Sequence, residues 1–403
     1  MINIITPFFV GILIMLGAPV YAVSFGLYWG PDSNKGFTIL ENVPYQKLLH
    51  EFYHYRDIAA AGGWPFIPSG PALRPGDRDK RISILRARLA ISGDLVQDGR
   101  HYKEAGDSEL FDKGLREAVV RFQMRHGLEP DGVVGRNTLD ELNVAVEDRI
   151  RQIRVNLERF RLFLGLIEDR YIVINIPDFE LRLIEGGKTV MRMKIIVGRS
   201  DRQTPVFSSE ITSIVVNPYW RVPYSIAVKD ILPKIQKHPD YLDKKHIKVI
   251  NTSDDSIVDV FADKIDWKKV SERNFSYKLR QDPGADNALG RLKFNISNRY
   301  DIYLHDTPAQ GLFKRTRRDF SSGCIRLERP LELALYLLSD HTAWTREKLL
   351  DLIKAGKTIT IRLKKPIPVH IEYFTAWVAD DGVLNFRRDI YGRDAMSDSV
   401  SRK

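Results

Sequence analysis

One cysteine, Cys324, occurs in 403 residues. An internal disulfide is therefore excluded, and a thiol kept alone asks for a chemical reason. The first thirty residues carry no charged side chain, Phe8 to Leu16 form a short apolar core, and Val20-Tyr21-Ala22 supplies the small residues a signal peptidase reads. A secretory signal over 1–22, cut after Ala22, is expected. The absence of Lys or Arg ahead of the apolar core leaves an uncut membrane anchor as the alternative, and either reading puts the body of the protein outside the cytoplasm. No later stretch approaches the ~20 apolar residues of a second span. Internal repeats and low-complexity tracts are also absent. Outside the cytoplasm a lone thiol is exposed to oxidation, so its retention points to a requirement.

At 43% hydrophobic and 28% charged, the chain has the composition of a globular protein long enough for two or three domains. Its formal charge is +10, with a pI near 9.4. An exported basic protein rarely meets nucleic acid, so an anionic cell-wall polymer is the better partner, the plainer reading being a basic surface kept for solubility.

The apolar spacing of Leu48, Leu49, Phe52 and Ile58 predicts a helix over 45–61, stopped at Gly62-Gly63-Trp64-Pro65. His50-Glu51-Phe52-Tyr53-His54 on that helix matches the zinc pattern H-E-x-x-H, but no third ligand is evident, and the segment reads as an amphipathic scaffold. After a Pro- and Gly-rich linker, Ile82, Leu85 and Leu89 make one helical stripe. Leu115, Val119 and Phe122 make a second, and Leu139 with Leu142 a third. From Tyr171 the period changes to strands: 171–176, 181–184, 191–197 and 211–216, with a hairpin at Gly186-Gly187. A charged, helix-leaning insertion follows over 222–290, of the kind that often forms a lid or substrate wall. Strands resume at 294–296 and 302–305, a helix covers 331–339, and closing strands are expected over 359–363 and 369–387.

Cys324 lies in Ser321-Ser322-Gly323-Cys324-Ile325-Arg326, 19 positions after His305 in Tyr303-Leu304-His305-Asp306-Thr307. A thiol attacks as its thiolate, so a nearby imidazole that takes its proton and later returns one to a leaving amine suits nucleophilic catalysis. Gly323, lacking a Cβ, lets substrate approach and offers a backbone N–H for an oxyanion. A Cys/His pair alone is weak evidence, since a buried cysteine beside an unrelated histidine is the bland alternative.

The full string is stronger. His305-Asp306-Thr307 followed by Ser321-Ser322-Gly323-Cys324-Ile325-Arg326 resembles the active-site motif of the L,D-transpeptidases. Thr204-Pro205, Asn217-Pro218-Tyr219-Trp220, the insertion and Arg280-Gln281-Asp282-Pro283-Gly284 resemble the large periplasmic members of Gram-negative bacteria. Leu85-Arg86-Ala87-Arg88-Leu89, Ala118-Val119-Val120-Arg121-Phe122-Gln123 and Gly135-Arg136-Asn137-Thr138-Leu139 resemble the three-helix peptidoglycan-binding domain of wall enzymes, with a lengthened loop from about 95 to 110. The resemblance implies an α+β multidomain fold: a helical scaffold over 23–75, a peptidoglycan-binding-like domain over 76–145, a connecting helix over 146–169, a mainly-β catalytic domain over 170–365 with a helical lid-like insertion, and C-terminal strands and tail over 366–403. It implies Cys324 as nucleophile, His305 as general base and acid, Gly323 as oxyanion donor, and Arg326, Ser322, Tyr303 and Trp220 around the substrate. Many relatives carry histidine where Ser322 stands, so no second histidine is assigned. Lys314-Arg315-Thr316-Arg317-Arg318 reads as a loop that attracts an anionic wall, or as a solvated one.

The implied reaction is attack of Cys324 on a tetrapeptide stem, release of D-alanine, and transfer of the acyl group to a second diaminopimelate amine as a 3→3 cross-link, with no metal or cofactor. Carbapenems are implied as covalent inhibitors, wall-synthesis enzymes as candidate partners, and the periplasm as location. Lipoprotein attachment and D-amino-acid exchange begin with the same acyl-enzyme and stay open. So does a non-catalytic wall-binding protein. A papain-like peptidase places Cys before His, the reverse of the order here, and a serine D,D-transpeptidase needs a Ser-x-x-Lys that the chain lacks.

Overall fold

Helices form first along the chain because apolar residues recur there every three or four positions, and the buried residues are the ones that share a stripe. In the computed structural model, residues 43–95, 108–250, 265–340 and 343–395 are described, so the signal reading over 1–22 lies outside the described residues. α1 (Val43–Ala60) and α5 (Val146–Leu164) bury Leu48, Tyr55, Ile153 and Leu157 in one shared cluster. Between them, α2 (Arg81–Ile91), α3 (Lys113–Arg125) and α4 (Arg136–Leu142) pack Ile82, Leu85, Leu89, Leu115, Val119, Phe122 and Leu142 into a second core. The Asp112 carboxylate caps α3 by accepting from the Leu115 amide.

The strands close on themselves. β1 (Arg170–Asn175), β2 (Glu180–Glu185), β3 (Lys188–Gly198) and β4 (Phe207–Val216) are followed by the insertion. Gly186 and Gly187, both at positive φ, turn the β2–β3 hairpin. Beyond the insertion come β8 (Leu292–Ile296), β9 (Leu304–His305), β10 (Asp319–Ser321) and β11 (Ile325–Leu327), then α9 (Pro330–Leu337), α10 (Arg346–Ala355) and β12 (Ile359–Glu372). The strand order is β10-β3-β11-β9-β8-β4-β12-β1-β2, and β2 pairs again with β3. That second pairing closes the circuit between β2 and β3 and leaves only the three-residue β10, paired with β3 alone, as an edge of this sheet. The enclosed core holds Ile172, Ile174, Leu183, Ile214, Phe294, Leu304, Ile325 and Val369.

Two expectations are corrected. The insertion is not simply helical: β5 (Trp220–Arg221), β6 (Ile247–Ile250) and β7 (Lys278–Gln281) form a separate antiparallel sheet in the order β5-β7-β6. Against it pack α6 (Tyr224–Ile226), a π-helical stretch over 227–231, α7 (Leu232–Lys237) and α8 (Tyr241–Lys244). Its two ends are stitched together by Asn287 Nδ2, which donates to the Pro218 carbonyl at 3.0 Å. The boundary between 365 and 366 falls inside β12, because the register shift between Arg362 and Ile367 takes up Pro366 and the strand continues. Val369 pairs with both Ser209 and Ile172, so this segment belongs to the closed sheet.

A last hairpin, β13 (Ala376–Val378) and β14 (Leu384–Phe386), fastens the helices to the sheet. His126 stacks on Phe122 at 3.8 Å and on Phe386 at 5.4 Å, and Tyr55 meets Phe386 at 5.7 Å. Arg387 donates to Asp178 at 2.7 Å and to the Arg125 carbonyl at 3.1 Å, while Arg125 pairs with buried Asp94 at 2.6 Å. Replacing buried Phe386 with alanine is expected to cost about 3–5 kcal/mol. Chemical denaturation measures this, and a loss below about 1 kcal/mol would show that the hairpin does not hold the helical unit.

Candidate active site

β9 contributes only two residues to the sheet, but its register decides what meets what. It runs parallel to β11 and antiparallel to β8, with His305 opposite Arg326 on one side and Lys293 on the other. Leu304, Ile325, Leu292 and Phe294 fill the enclosed core. Alternation therefore puts Lys293, His305 and Arg326 in one row on the outer face. Tyr303 shares that face: its ring lies 5.7 Å from the His305 ring, and Lys293 Nζ sits 4.1 Å above it. Cys324 stands one residue before β11, and the Ile325 amide bonds the Tyr303 carbonyl at 3.1 Å. Nucleophile candidate and histidine thus reach the same face from adjacent strands.

The turn ahead of Cys324 is held by side-chain hydrogen bonds from two directions. Ser321 Oγ donates to the Cys324 carbonyl at 2.6 Å and accepts from the Gly323 amide at 3.1 Å. Thr204 Oγ1 donates to the Gly323 carbonyl at 2.8 Å and accepts from the Gly198 amide at 2.9 Å. Gly323 sits at φ +118°, where an L side chain is strained, and a Cβ there would also crowd Ile302 at 3.3 Å. The glycine is explained, but its assignment as oxyanion donor is not: its N–H is already given to Ser321. The Cys324 amide, for which no acceptor is found among the described residues, is the donor left for that role. Ser322 is likewise engaged, its hydroxyl accepting from Arg202 at 2.9 Å. Arg202 also grips both carboxylate oxygens of Asp230 in the insertion, one at 3.1 Å.

The Cys324 thiol approaches the Asp301 carbonyl at 3.7 Å, and no hydrogen bond joins it to His305. Burial pushes it above the ordinary thiol range. Hydrogen bonds from the Tyr303 amide and hydroxyl, and the charges of Lys293 and Arg326, pull the other way without overcoming burial. His305 is pushed down to about 3 by burial and by the charges of Arg326 and Lys293. Its Nδ1 lies 2.6 Å from the Asp306 carbonyl, which can only accept. The neutral ring therefore carries its proton on Nδ1 and presents the lone pair at Nε2. Asp306 is fixed in turn by amides of Arg291 at 2.8 Å and Thr307 at 2.7 Å. The Trp220 indole N–H reaches the Tyr303 hydroxyl, which connects the insertion to the thiol through one tyrosine.

Arg326, His305, Tyr303 and Cys324 are brought together, with Trp220 at the edge and Ser322 turned toward Arg202. The basic loop divides: Lys314, Arg315 and Arg317 are exposed, whereas Arg318 is buried and donates to the carbonyls of Ile195, Arg315 and Phe179. His50 and His54 are exposed on α1. Among the described residues no group of three or more His, Cys, Asp or Glu is placed to hold a metal ion. Arg202 and Lys293 were missed. Alternation through Leu292-Lys293-Phe294 marks Lys293 as outward-facing but not as a neighbour of Cys324, and Arg202 carries no sequence signal.

Residues 169–361 match the YkuD family, described as the L,D-transpeptidase catalytic domain, and residues 78–142 match a family described as "Putative peptidoglycan binding domain". A Haemophilus influenzae protein named "Putative L,D-transpeptidase" is 35% identical over 246 residues, 60% of this chain and 48% of that protein. The N-acetylmuramoyl-L-alanine amidase CwlM of Mycobacterium tuberculosis is 37% identical over 83 residues, 20% of each chain. The chain therefore spans about half the length of the first relative and a fifth of the second. The solved L,D-transpeptidase 3 of M. tuberculosis aligns over 51% of this chain and 61% of its own at 14% identity, with a TM-score of 0.25.

Because the thiol is raised and His305 stays neutral down to about 3, alkylation of Cys324 in the free protein is expected to climb through one ionisation above the ordinary thiol value, without a break near 6.5. A plateau reached by pH 7 would contradict this. Replacing Thr204 by valine keeps the shape but strands a buried amide and a buried carbonyl. The expected cost is about 2–4 kcal/mol in denaturation, with a lower alkylation rate from a loosened turn.

Proposed function

We propose that this chain, which carries an L,D-transpeptidase catalytic domain behind a peptidoglycan-binding domain, is an exported, periplasmic enzyme that forms 3→3 cross-links through a thioester on Cys324. The observation that carries the reading is the placing of Cys324 and a neutral His305 on one face at adjacent strands, with the His305 Nε2 lone pair free of its own backbone contact. In the free protein the sulfur lies against the Asp301 carbonyl, and its contact with Nε2 is assigned to the substrate complex, where catalytic contacts tighten.

In the first half-reaction His305 Nε2 takes the thiol proton and sulfur adds to the carbonyl at the L-centre of diaminopimelate in a tetrapeptide stem. The Cys324 amide faces the oxyanion, a contribution worth about 100- to 1000-fold in rate. Collapse breaks the amide C–N bond, and the proton held by His305 goes to the departing D-alanine amine. In the second half-reaction the side-chain amine of another stem's diaminopimelate attacks the thioester. Its proton returns through His305 to the sulfur as the new amide forms. Arg326 meets a substrate carboxylate. The insertion, tied to the site through Trp220 and Arg202, walls the substrate channel, and the helical unit holds the strand from which the stems project. Carbapenems are expected to acylate the same sulfur.

Incubating the purified protein with tetrapeptide-rich peptidoglycan and analysing muropeptides by mass tests the proposal. Expected are 3→3 dimers and free D-alanine, both abolished by Cys324→Ala. His305→Ala is expected to lower the rate by about 100- to 10,000-fold. Dimers persisting in the Cys324→Ala variant would sink the mechanism. Formation of lipoprotein-linked or D-amino-acid-exchanged stems instead of dimers would keep the acyl-enzyme and replace the acceptor.

A further inference from the structure

Lys293 and Arg326 flank His305 in the row across β8, β9 and β11, and neither forms an ion pair among the described residues. Arg326 Nε is buried without a hydrogen-bond partner. Lys293 is half-buried, its ammonium held over the Tyr303 ring, with the charge of Arg221 adding from the insertion side. Asp301 is the carboxylate near enough to bias Lys293, yet it makes no ion pair with it. Both cations interact with the Cys324 sulfur. Removing two like charges from water without a counter-ion is costly. With the thiol held protonated by burial, Asp301 is the one carboxylate set against the two cations, so the row keeps a net positive charge. A bound anion is what would complete it.

We propose that Lys293 and Arg326 form a two-cation cradle for a carboxylate of the substrate, and that Lys293 is a specificity residue that selects acyl donors whose leaving group is a D-amino acid with a free α-carboxylate. This rests on the reaction proposed above. In that reaction the leaving amine bears its carboxylate one carbon from the scissile nitrogen, within the span of a row centred on His305. The amide of the same amino acid has equal shape and no charge, and is the poor donor.

Two measurements separate this inference from the reaction it rests on. The first needs no turnover: alkylation of Cys324 by iodoacetate, an anion, is compared with iodoacetamide, its neutral isostere, in the wild type, Lys293→Met and Lys293→Arg. The anion-to-neutral rate ratio is expected to fall about tenfold in Lys293→Met and to be largely kept in Lys293→Arg, in line with the loss of one charge-assisted contact. An unchanged ratio overturns the cradle. So does an equal fall with both reagents, which would assign Lys293 to stabilising the thiolate. An unchanged melting temperature shows that the variant is folded, and taking the ratio cancels the change in thiol ionisation that loss of the Lys293 charge brings to both reagents. The second measurement is release from tetrapeptides ending in D-alanine or in D-alaninamide. The wild type is expected to prefer the acid by about 10- to 100-fold, and Lys293→Met to lose most of that preference. Equal use of acid and amide by the wild type overturns the selectivity. A shifted alkylation ratio with no release from either peptide would support the anion site and sink the transpeptidase reading instead.

Discussion

The pairing of a two-residue strand with its neighbours is the constraint on which the site depends. β9 is held between β8 and β11, and its register alone sets His305 against Arg326 and Lys293 and brings the residue before β11 beside Tyr303. A slip by one residue would bury His305 in the core and turn Leu304 outward. The closed circuit protects against this, because β9 is fixed from both sides by β8 and β11 and the core positions of Leu292, Phe294, Leu304 and Ile325 leave one acceptable register.

Around that register the molecule builds the site from backbone hydrogen bonds more than from ion pairs. Thr204 ties the turn before Cys324 to the end of β3, Asp306 secures the peptide that orients His305, and Asn287 closes the neck of the insertion. Arg202 is the exception: it joins a carboxylate of the insertion to the hydroxyl directly before Gly323. Movement of the insertion and the shape of the turn are therefore mechanically connected, and the π-helical stretch that carries Asp230 is the kind of local irregularity often found beside functional sites.

Much of this was legible in the sequence. The three helical stripes, the change of period at Tyr171, the glycine hairpin and the His305 to Arg326 motif all mark local features, and local patterns report on elements. The insertion misled because its strands are short and separated by helical pieces, so no window shows alternation long enough to outweigh charge and helix propensity. The boundary at 365/366 fell inside a strand because the register shift that accommodates Pro366 between Arg362 and Ile367 leaves no mark in the local pattern. The role of the Gly323 amide was not readable at all. Whether an N–H is free depends on the rotamer of Ser321, two residues away. Arg202 and Lys293 come from distant parts of the chain and meet Cys324 only through the closed sheet.

The raised thiol and the neutral imidazole also bear on how the free thiol fares. It is the thiolate that attacks peroxides and disulfide-forming reagents, so the rate of oxidation follows the fraction ionised. A thiol kept protonated by burial is chemically quiet until a ligand rearranges the site. In the oxidising surroundings proposed for this chain, the burial that slows the free thiol also preserves it, and Cys324 needs neither a partner cysteine nor a dedicated reductant to survive the wait.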